Sequence, residues 1–278
     1  MIDKTVVITG ASTGIGAACA LYLNRLGWRV FAGVRKPADG ETLRQQASAR
    51  LTPLLLDVTD AAAIAVAANT VTAAVGETGL AGLVNNAGIA RGGPLEFVPI
   101  ADLRQQLEVN VIGQLAVTQA FLPLLRRGPG RVVNMGSVSG RVAMPFIGPY
   151  ATSKFALEAL TDSLRVELRP WGIHVAIVEP GPIATPIWQK SLASADELTQ
   201  ALPPAAHQLY GAAMAKARER LLAASQAGIP PEAVAQVVAH ALTAPRPKTR
   251  YPIGRGVRLA ILFARFIPDR LRDWLIVR

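Results

Sequence analysis

The strongest constraint on the fold is an alternation. Short runs rich in Val, Ile and Leu recur along the first two thirds of the chain: "TVVITG" (5–10), "WRVFAGV" (28–34), "LTPLLLDV" (51–58), "LAGLVNNAG" (80–88), "GRVVNMGS" (130–137) and "GIHVAIVEPG" (172–181). Stretches with helical periodicity separate them, at 14–27 and near 60–75, 100–126 and 150–169. Strands that are apolar at almost every position have no polar face to offer water, so they must be covered on both sides. Alternating such strands with helices implies a parallel sheet with a helical layer on each face and right-handed crossovers. No linker interrupts the pattern before residue 182, so residues 1–278 are read as one domain.

Beyond the sixth run the pattern changes. Residues 182–228 are helical but broken by Pro203 and Pro204, and 186–228 is expected to form a lid beside the substrate. A helix over 230–244, with prolines at its start, follows. The end, 246–278, reads as a basic tail that finishes in an amphipathic helix. The chain's formal charge is +10, and this tail holds nine Lys/Arg against Asp269 and Asp273. Such a tail suits anionic lipid or an acidic protein. The commoner fate of an amphipathic end is to cover its own pocket or a subunit contact. No nucleic-acid motif accompanies the charge. Cys19 is the only cysteine, which excludes an internal disulfide, and His174, His207 and His240 have no ligand spacing, so no metal is expected. The start lacks the apolar segment of a signal peptide, and no uninterrupted apolar run reaches the length of a membrane span. The expected location is cytoplasmic, with the tail as the candidate for peripheral membrane contact.

Two places speak of a nucleotide. "TGASTGIG" (9–16) lies between the first strand and the first helix. Gly10, Gly14 and Gly16, with Ser12, Thr13 and Ile15 between them, stand where a turn brings backbone close to a pyrophosphate and the helix N-terminus offers it free N–H groups. At the end of the second strand an acid would hold ribose hydroxyls, but the sequence there is Val34, Arg35, Lys36. Two cations suit a 2′-phosphate, so NADP(H) is favoured over NAD(H) as cofactor. Thr13, which is not basic, adds nothing to that preference.

"YATSKFALEAL" (150–160) sets Tyr150 and Lys154 one helical turn apart, on one face. An ordinary phenol has a pKa of about 10, and a nearby cation favours the phenolate. The expectation is that Lys154 lowers Tyr150 and makes it a usable acid and base. Ser137, thirteen residues upstream at a strand end, is placed to hydrogen-bond a substrate oxygen.

In order along the chain, these residues resemble the short-chain dehydrogenases/reductases, in their compact single-domain branch. The likeness covers roughly residues 4–185. It rests on Thr9, Gly10, Gly14, Ile15 and Gly16; Asp57; "NNAG" at Asn85, Asn86, Ala87 and Gly88; Asn110; Ser137; Tyr150 and Lys154; and Pro180, Gly181 and Thr185. The tract 31–60 and the tail are more loosely similar to members acting on steroids and retinoids. The resemblance implies a Rossmann-like, doubly wound parallel sheet of about seven strands. It implies catalysis by Asn110, Ser137, Tyr150 and Lys154, with Asn110 holding a water that links Lys154 to solvent and Lys154 reaching the nicotinamide ribose. It implies cofactor contacts at Asp57 and Val58, at Asn86, Ala87 and Gly88, and at Pro180, Gly181, Ile183 and Thr185. It also suggests a homodimer or homotetramer, with 100–126 and 150–169 as contacts.

The implied reaction interconverts an apolar alcohol and its carbonyl compound by hydride transfer, with Tyr150 as general acid or base. Met144, Phe146, Trp188 and Leu192 fall on loop and lid segments and favour an apolar substrate. Two other readings compete. One is a 3-oxoacyl thioester reductase whose basic surface meets an acidic carrier protein. The other is a non-catalytic, cofactor-binding regulator, against which the intact Asn110, Ser137, Tyr150 and Lys154 set argues.

Overall fold

The computed structural model describes residues 4–128 and 130–277. Seven parallel strands form one sheet in the order β3-β2-β1-β4-β5-β6-β7. They are β1 (Thr5–Ile8), β2 (Arg29–Val34), β3 (Leu51–Leu55), β4 (Gly82–Asn85), β5 (Arg131–Met135), β6 (His174–Pro180) and β7 (Arg250–Ile253). Every pairing is parallel, as the apolar runs require. The chain leaves β3 at one edge and returns to β4 beside β1. The strand order therefore reverses between β1 and β4, and a crevice opens beyond their C-terminal ends.

Residues alternate across the sheet, so each strand serves two cores. Val6, Ile8, Val30 and Val34 pack under α1 (Gly14–Arg25), α2 (Pro37–Gln45) and α9 (Pro231–Thr243). Val7, Phe31, Leu83 and Val132 face the other way, onto α3 (Ala61–Val75), α5 (Gly113–Arg127) and α6 (Gly148–Glu167). Each fully buried Leu, Ile or Phe contributes about 1.5–3 kcal/mol relative to exposure. By length and composition, 61–78 and 100–127 are apolar enough to cross a membrane. Here Ala67 and Val71 of the first, and Val117, Phe121 and Leu125 of the second, are spent on the sheet. Asp60 starts α3 by accepting from the Ala62 and Ala63 amides at 2.8 and 3.1 Å.

Three features depart from the sequence reading. Residues 100–126 are not one regular helix: α4 (Ile100–Leu107) passes through a π-helical turn, Glu108–Ile112, into α5. That turn inserts Asn110 into the interior. Residues 250–253, expected within the tail, are β7, paired with β6 from Ile177↔Arg250 to Pro180↔Ile253. Four residues containing Pro252 give little strand signal, and Pro is tolerated because β7 is an edge strand. α2 was also unread; its composition is largely polar and it covers the sheet edge with Leu43. The expected lid is two helices, α7 (Ile187–Ala201) and α8 (Pro204–Gln226), divided at Pro203–Pro204. The tail forms α10 (Val257–Phe266) and α11 (Asp269–Val277).

Candidate functional site

A cleft of about 1340 Å³ lies over the C-terminal ends of the strands and under α7 and α8. The glycine turn forms one end of it. Gly10 and Gly14 take positive φ, 63° and 60°, which residues with a Cβ rarely adopt. Gly16 is helical, and a Cβ there would overlap the Gly10 carbonyl and the Asn86 amide. Asn86 fixes the turn from β4. Its Nδ2 donates to the carbonyls of Thr9 and Gly10, both at 3.0 Å, while Thr9 Oγ1 accepts from the Asn86 and Ala87 amides, both at 2.9 Å. The backbone of the turn is thus held by side chains from two adjacent strands. Gly16→Ala is expected to cost about 1–3 kcal/mol through overpacking. Gly211→Ala, on a helix with open space around the new Cβ, should be neutral or stabilising. Urea unfolding of both variants checks this.

The β2 and β3 ends form the side wall. Val34, Arg35, Asp57 and Val58 line it. Burial pushes the Asp57 carboxyl up, but hydrogen bonds from the Thr59 amide and hydroxyl and the charge of Arg35 outweigh it, and the group lies below its ordinary value. Lys36 does not line the cleft. It is exposed at the start of α2, one residue further along the turn than Arg35. Of the two cations the sequence offered, only Arg35 faces the site.

The floor carries the polar chemistry. Ser137 lies two residues beyond β5 and accepts from the Ser139 amide at 3.1 Å. Tyr150 lines the same floor, and the Ser137 hydroxyl is the neighbour that favours its charged form. One turn along α6, Lys154 is buried, with Nζ donating to the Met135 carbonyl at 2.7 Å and lying 5.7 Å from the Tyr150 ring centroid. Burial brings Lys154 down to about 8, opposed by the negative charge of Glu158. Tyr150 corrects an expectation. Its phenol is raised above its ordinary value because burial outweighs the pull of the Ser137 hydroxyl, and Lys154 does not bring it down. Taking a phenolate out of water costs more than these surroundings return.

Asn110 stands behind this floor and does not line the cleft. Its Oδ1 accepts from the Ile89 amide at 2.9 Å, and its Nδ2 donates to the Ile89 carbonyl at 2.9 Å and to Ser153 Oγ at 3.0 Å. Its amide group therefore ties the strand-four loop to α6. Deeper still, Asn85 donates to Thr118 and Asn134 at 2.8 and 2.9 Å, and Asn134 donates to Thr161 at 2.8 Å. This buried chain pins β4 and β5 to α5 and α6.

The rest of the expected set falls as follows. Ser12, Thr13, Ile15, Ala87, Gly88, Pro180, Gly181, Ile183 and Thr185 line the cleft at the turn and along the ends of β4 and β6. Met144, Phe146 and Trp188 line its apolar part, but Leu192 does not. From α7 the cavity is lined by Ile187, Trp188, Lys190, Ser191, Ala195, Asp196, Leu198 and Thr199, so the i+4 spacing of Leu192 from Trp188 does not by itself bring it to the wall. The sequence reading missed Leu198, Met214, Leu221 and Ile276, which complete the apolar wall. Spacing from Trp188 points to Leu192 rather than Leu198, so Leu198, like Ile276 of the tail, is found only in the fold. Phe146 has φ 66°, and its carbonyl accepts from the Gly93 amide at 2.7 Å. Tyr210 of α8 meets Phe146 and Phe97 edge-on and donates to Glu96 at 2.7 Å, which fastens the lid to the strand-four loop.

Glycine backbone that no side chain could replace, and a helix start that Thr13 leaves without a side-chain cap, make a fit for a dinucleotide pyrophosphate. Comparison with known proteins agrees. Residues 4–196 match the short chain dehydrogenase family model. The chain is 43% identical to retinol dehydrogenase 5 of Mus musculus, over 99% of this chain and 90% of that one. It is 37% identical to an NADPH-dependent 3-dehydrocapnine reductase of Ornithobacterium rhinotracheale, over 97% and 95%. A short chain dehydrogenase from Burkholderia cenocepacia J2315, solved in complex with NADP, superposes with a TM-score of 0.74 at 27% identity, over 99% of this chain and 98% of that one. With the glycine turn and the Tyr150–Lys154 helix face both inside that one continuous family match, the chain belongs to the short chain dehydrogenase family and is an oxidoreductase of the alcohol dehydrogenase type.

Proposed function

We propose that the protein interconverts an apolar alcohol and its ketone or aldehyde with a nicotinamide cofactor, NADP(H) in preference to NAD(H). The observation that carries this reading is the grouping of Ser137, Tyr150 and Lys154, the last 5.7 Å from the Tyr150 ring, at the floor of a cleft whose far end is the glycine turn. When bound, the cofactor supplies or accepts the hydride. The turn from Gly10 to Ile15 would hold its pyrophosphate, and Asp57, Val58, Asn86 and Thr185 would line its remaining length.

The side chains do the proton work. In reduction, Tyr150 gives its phenolic proton to the substrate oxygen as that oxygen gains negative charge. Ser137 donates a hydrogen bond to the same oxygen and stabilises that charge. Lys154, cationic below about pH 8, faces the phenolate left behind. Asn110 acts as a positioning residue, keeping the Ile89 loop and α6 in register. The apolar wall of Met144, Phe146, Trp188, Leu198, Met214 and Leu221 removes the substrate from water. Two relatives are named for retinol and 3-dehydrocapnine, which is consistent with such a wall.

Arg35 carries the cofactor preference. Its guanidinium faces the cleft where a 2′-phosphate would lie, and charge-assisted hydrogen bonds of this kind are worth about 1.5–3 kcal/mol. Arg35→Ala is expected to raise the KM for NADPH by about tenfold or more and that for NADH by less than about twofold. Lys36→Ala, outside the cleft, should leave the ratio unchanged. Initial rates with both cofactors across ketones from small aryl compounds to steroids test both statements. An unaltered NADPH/NADH ratio in Arg35→Ala would remove the preference, and the absence of ketone-dependent oxidation of either cofactor would remove the activity.

A further inference from the structure

An amphipathic helix on a globular surface normally turns its apolar stripe inward. α10 does the reverse. Val257 is its one buried residue, seated against Gly181 and Gly254 at the end of the sheet. Beyond that anchor, Leu259, Leu262, Phe263 and Phe266 are 71%, 54%, 46% and 70% exposed. Their spacing of three, one and three residues puts them on one face. α11 adds Leu271, Trp274 and Leu275, each between 42% and 50% exposed. This is a contiguous apolar surface beyond what scattered exposed residues would account for.

The same segment is strongly basic. Arg255, Arg258, Arg265, Arg270 and Arg272 belong to it, α10 has no acidic residue, and Asp269 is taken by Arg272 at 2.9 Å. The surface also adjoins the active cleft. A groove of about 410 Å³ runs between α10, α11 and the loop at Val142–Met144. Met144, Arg220 and Ile276 line both this groove and the main cleft, so the tail's apolar side is continuous with the substrate wall.

We propose that the tail is a lipid-docking surface. The apolar face of α10 and α11 lies in the interface of an anionic phospholipid bilayer, the arginines meet the head groups, and the cleft opens toward the bilayer beside Met144 and Ile276. Charge selects this occupant. A second copy would bring two arginine-rich tails together and repel, whereas an anionic bilayer supplies both the apolar layer and the opposite charge. The delivery of substrate from the bilayer rests on the reading of the cleft as an apolar-alcohol site; the docking does not.

The test uses the full chain and vesicles of phosphatidylcholine, with and without phosphatidylglycerol as about a third of the lipid. The protein is expected to co-sediment with the anionic vesicles and much less with the neutral ones, and added salt should release it. Leu262→Asp/Phe266→Asp and Arg258→Gln/Arg265→Gln, all at positions outside the cleft, should each weaken binding by about tenfold or more. Turnover of a small water-soluble ketone should be unchanged in both, while kcat/KM for a ketone dissolved in the vesicles should fall. Equal sedimentation of wild type and variants, or no dependence on phosphatidylglycerol, would overturn the docking. So would a wild-type dimer that the Asp pair dissociates, in protein that does not bind vesicles, because the face would then belong to self-association. Sedimentation is read without turnover, so failure of the oxidoreductase reading and failure of the docking are seen separately.

Discussion

Tyr150→Phe is expected to lower kcat by about 10²–10⁴-fold while leaving the fold and nicotinamide binding intact. The substitution removes one oxygen. The aromatic ring, its packing on α6 and its contact with Lys154 at 5.7 Å all survive. What is lost is the phenolic hydroxyl that lines the floor of the cleft beside Ser137. Because burial raises the phenol above its ordinary value, wild-type Tyr150 is protonated at neutral pH, the state that donates in reduction. Alcohol oxidation needs the phenolate, so its rate should climb with pH across the neutral and mildly alkaline range, and Tyr150→Phe should abolish that climb. Stopped-time assays in both directions, with cofactor affinity measured by fluorescence titration, check each part. Turnover within about threefold of wild type would take the proton transfer away from Tyr150.

Arg250→Met is expected to cost about 3–5 kcal/mol of stability, the usual result of stripping one partner from a buried ionic cluster. Arg250 reaches from β7 to three carboxylates: Glu158 at 3.1 Å, Asp162 at 2.7 Å and Glu179 at 3.6 Å. Glu158 and Glu179 have side chains only 9% and 2% exposed, so their charges are poorly served by water. Asp162 is 42% exposed, and its share is discounted accordingly. Without Arg250 the two buried acids keep Arg141, at 3.7 and 3.5 Å.

The loss should depend on pH. Burial and the neighbouring Glu179 already push Glu158 up to about 7, against the pull of Arg250 and Arg141. Its folded pKa is above its unfolded one, so the folded state holds a proton that the unfolded state releases. That contribution is complete below the unfolded value and disappears as pH rises through about 7. Removing Arg250 raises Glu158 further, so the variant's deficit should be larger at pH 8 than at pH 6. Urea unfolding at the two pH values measures it. A deficit under about 1 kcal/mol, equal at both, would show that the cluster does not bear on stability. The same cluster touches the site, since the charge of Glu158 opposes the fall of Lys154.

The parts of this protein that were legible in its sequence are those written in neighbouring residues. Fully apolar runs in alternation with helices determined a parallel sheet between two helical layers. The Gly10–Gly16 turn, between strand and helix, determined where a dinucleotide belongs. A spacing of four put Tyr150 and Lys154 on one helix face, and the double proline at 203–204 divided the lid. Tertiary structure decided what depends on residues far apart. It placed Arg35 in the cleft and Lys36 outside it, left Leu192 out of the cavity wall, and drew Asn110 inward to Ile89 and Ser153. It added β7 to the sheet through pairing with β6 and joined Arg250 to Glu158 across 92 positions. It also reversed the expected shift of Tyr150. Periodicity and turn chemistry are local properties of the chain, whereas desolvation and electrostatic pairing are fixed only when distant segments exclude water from the same volume.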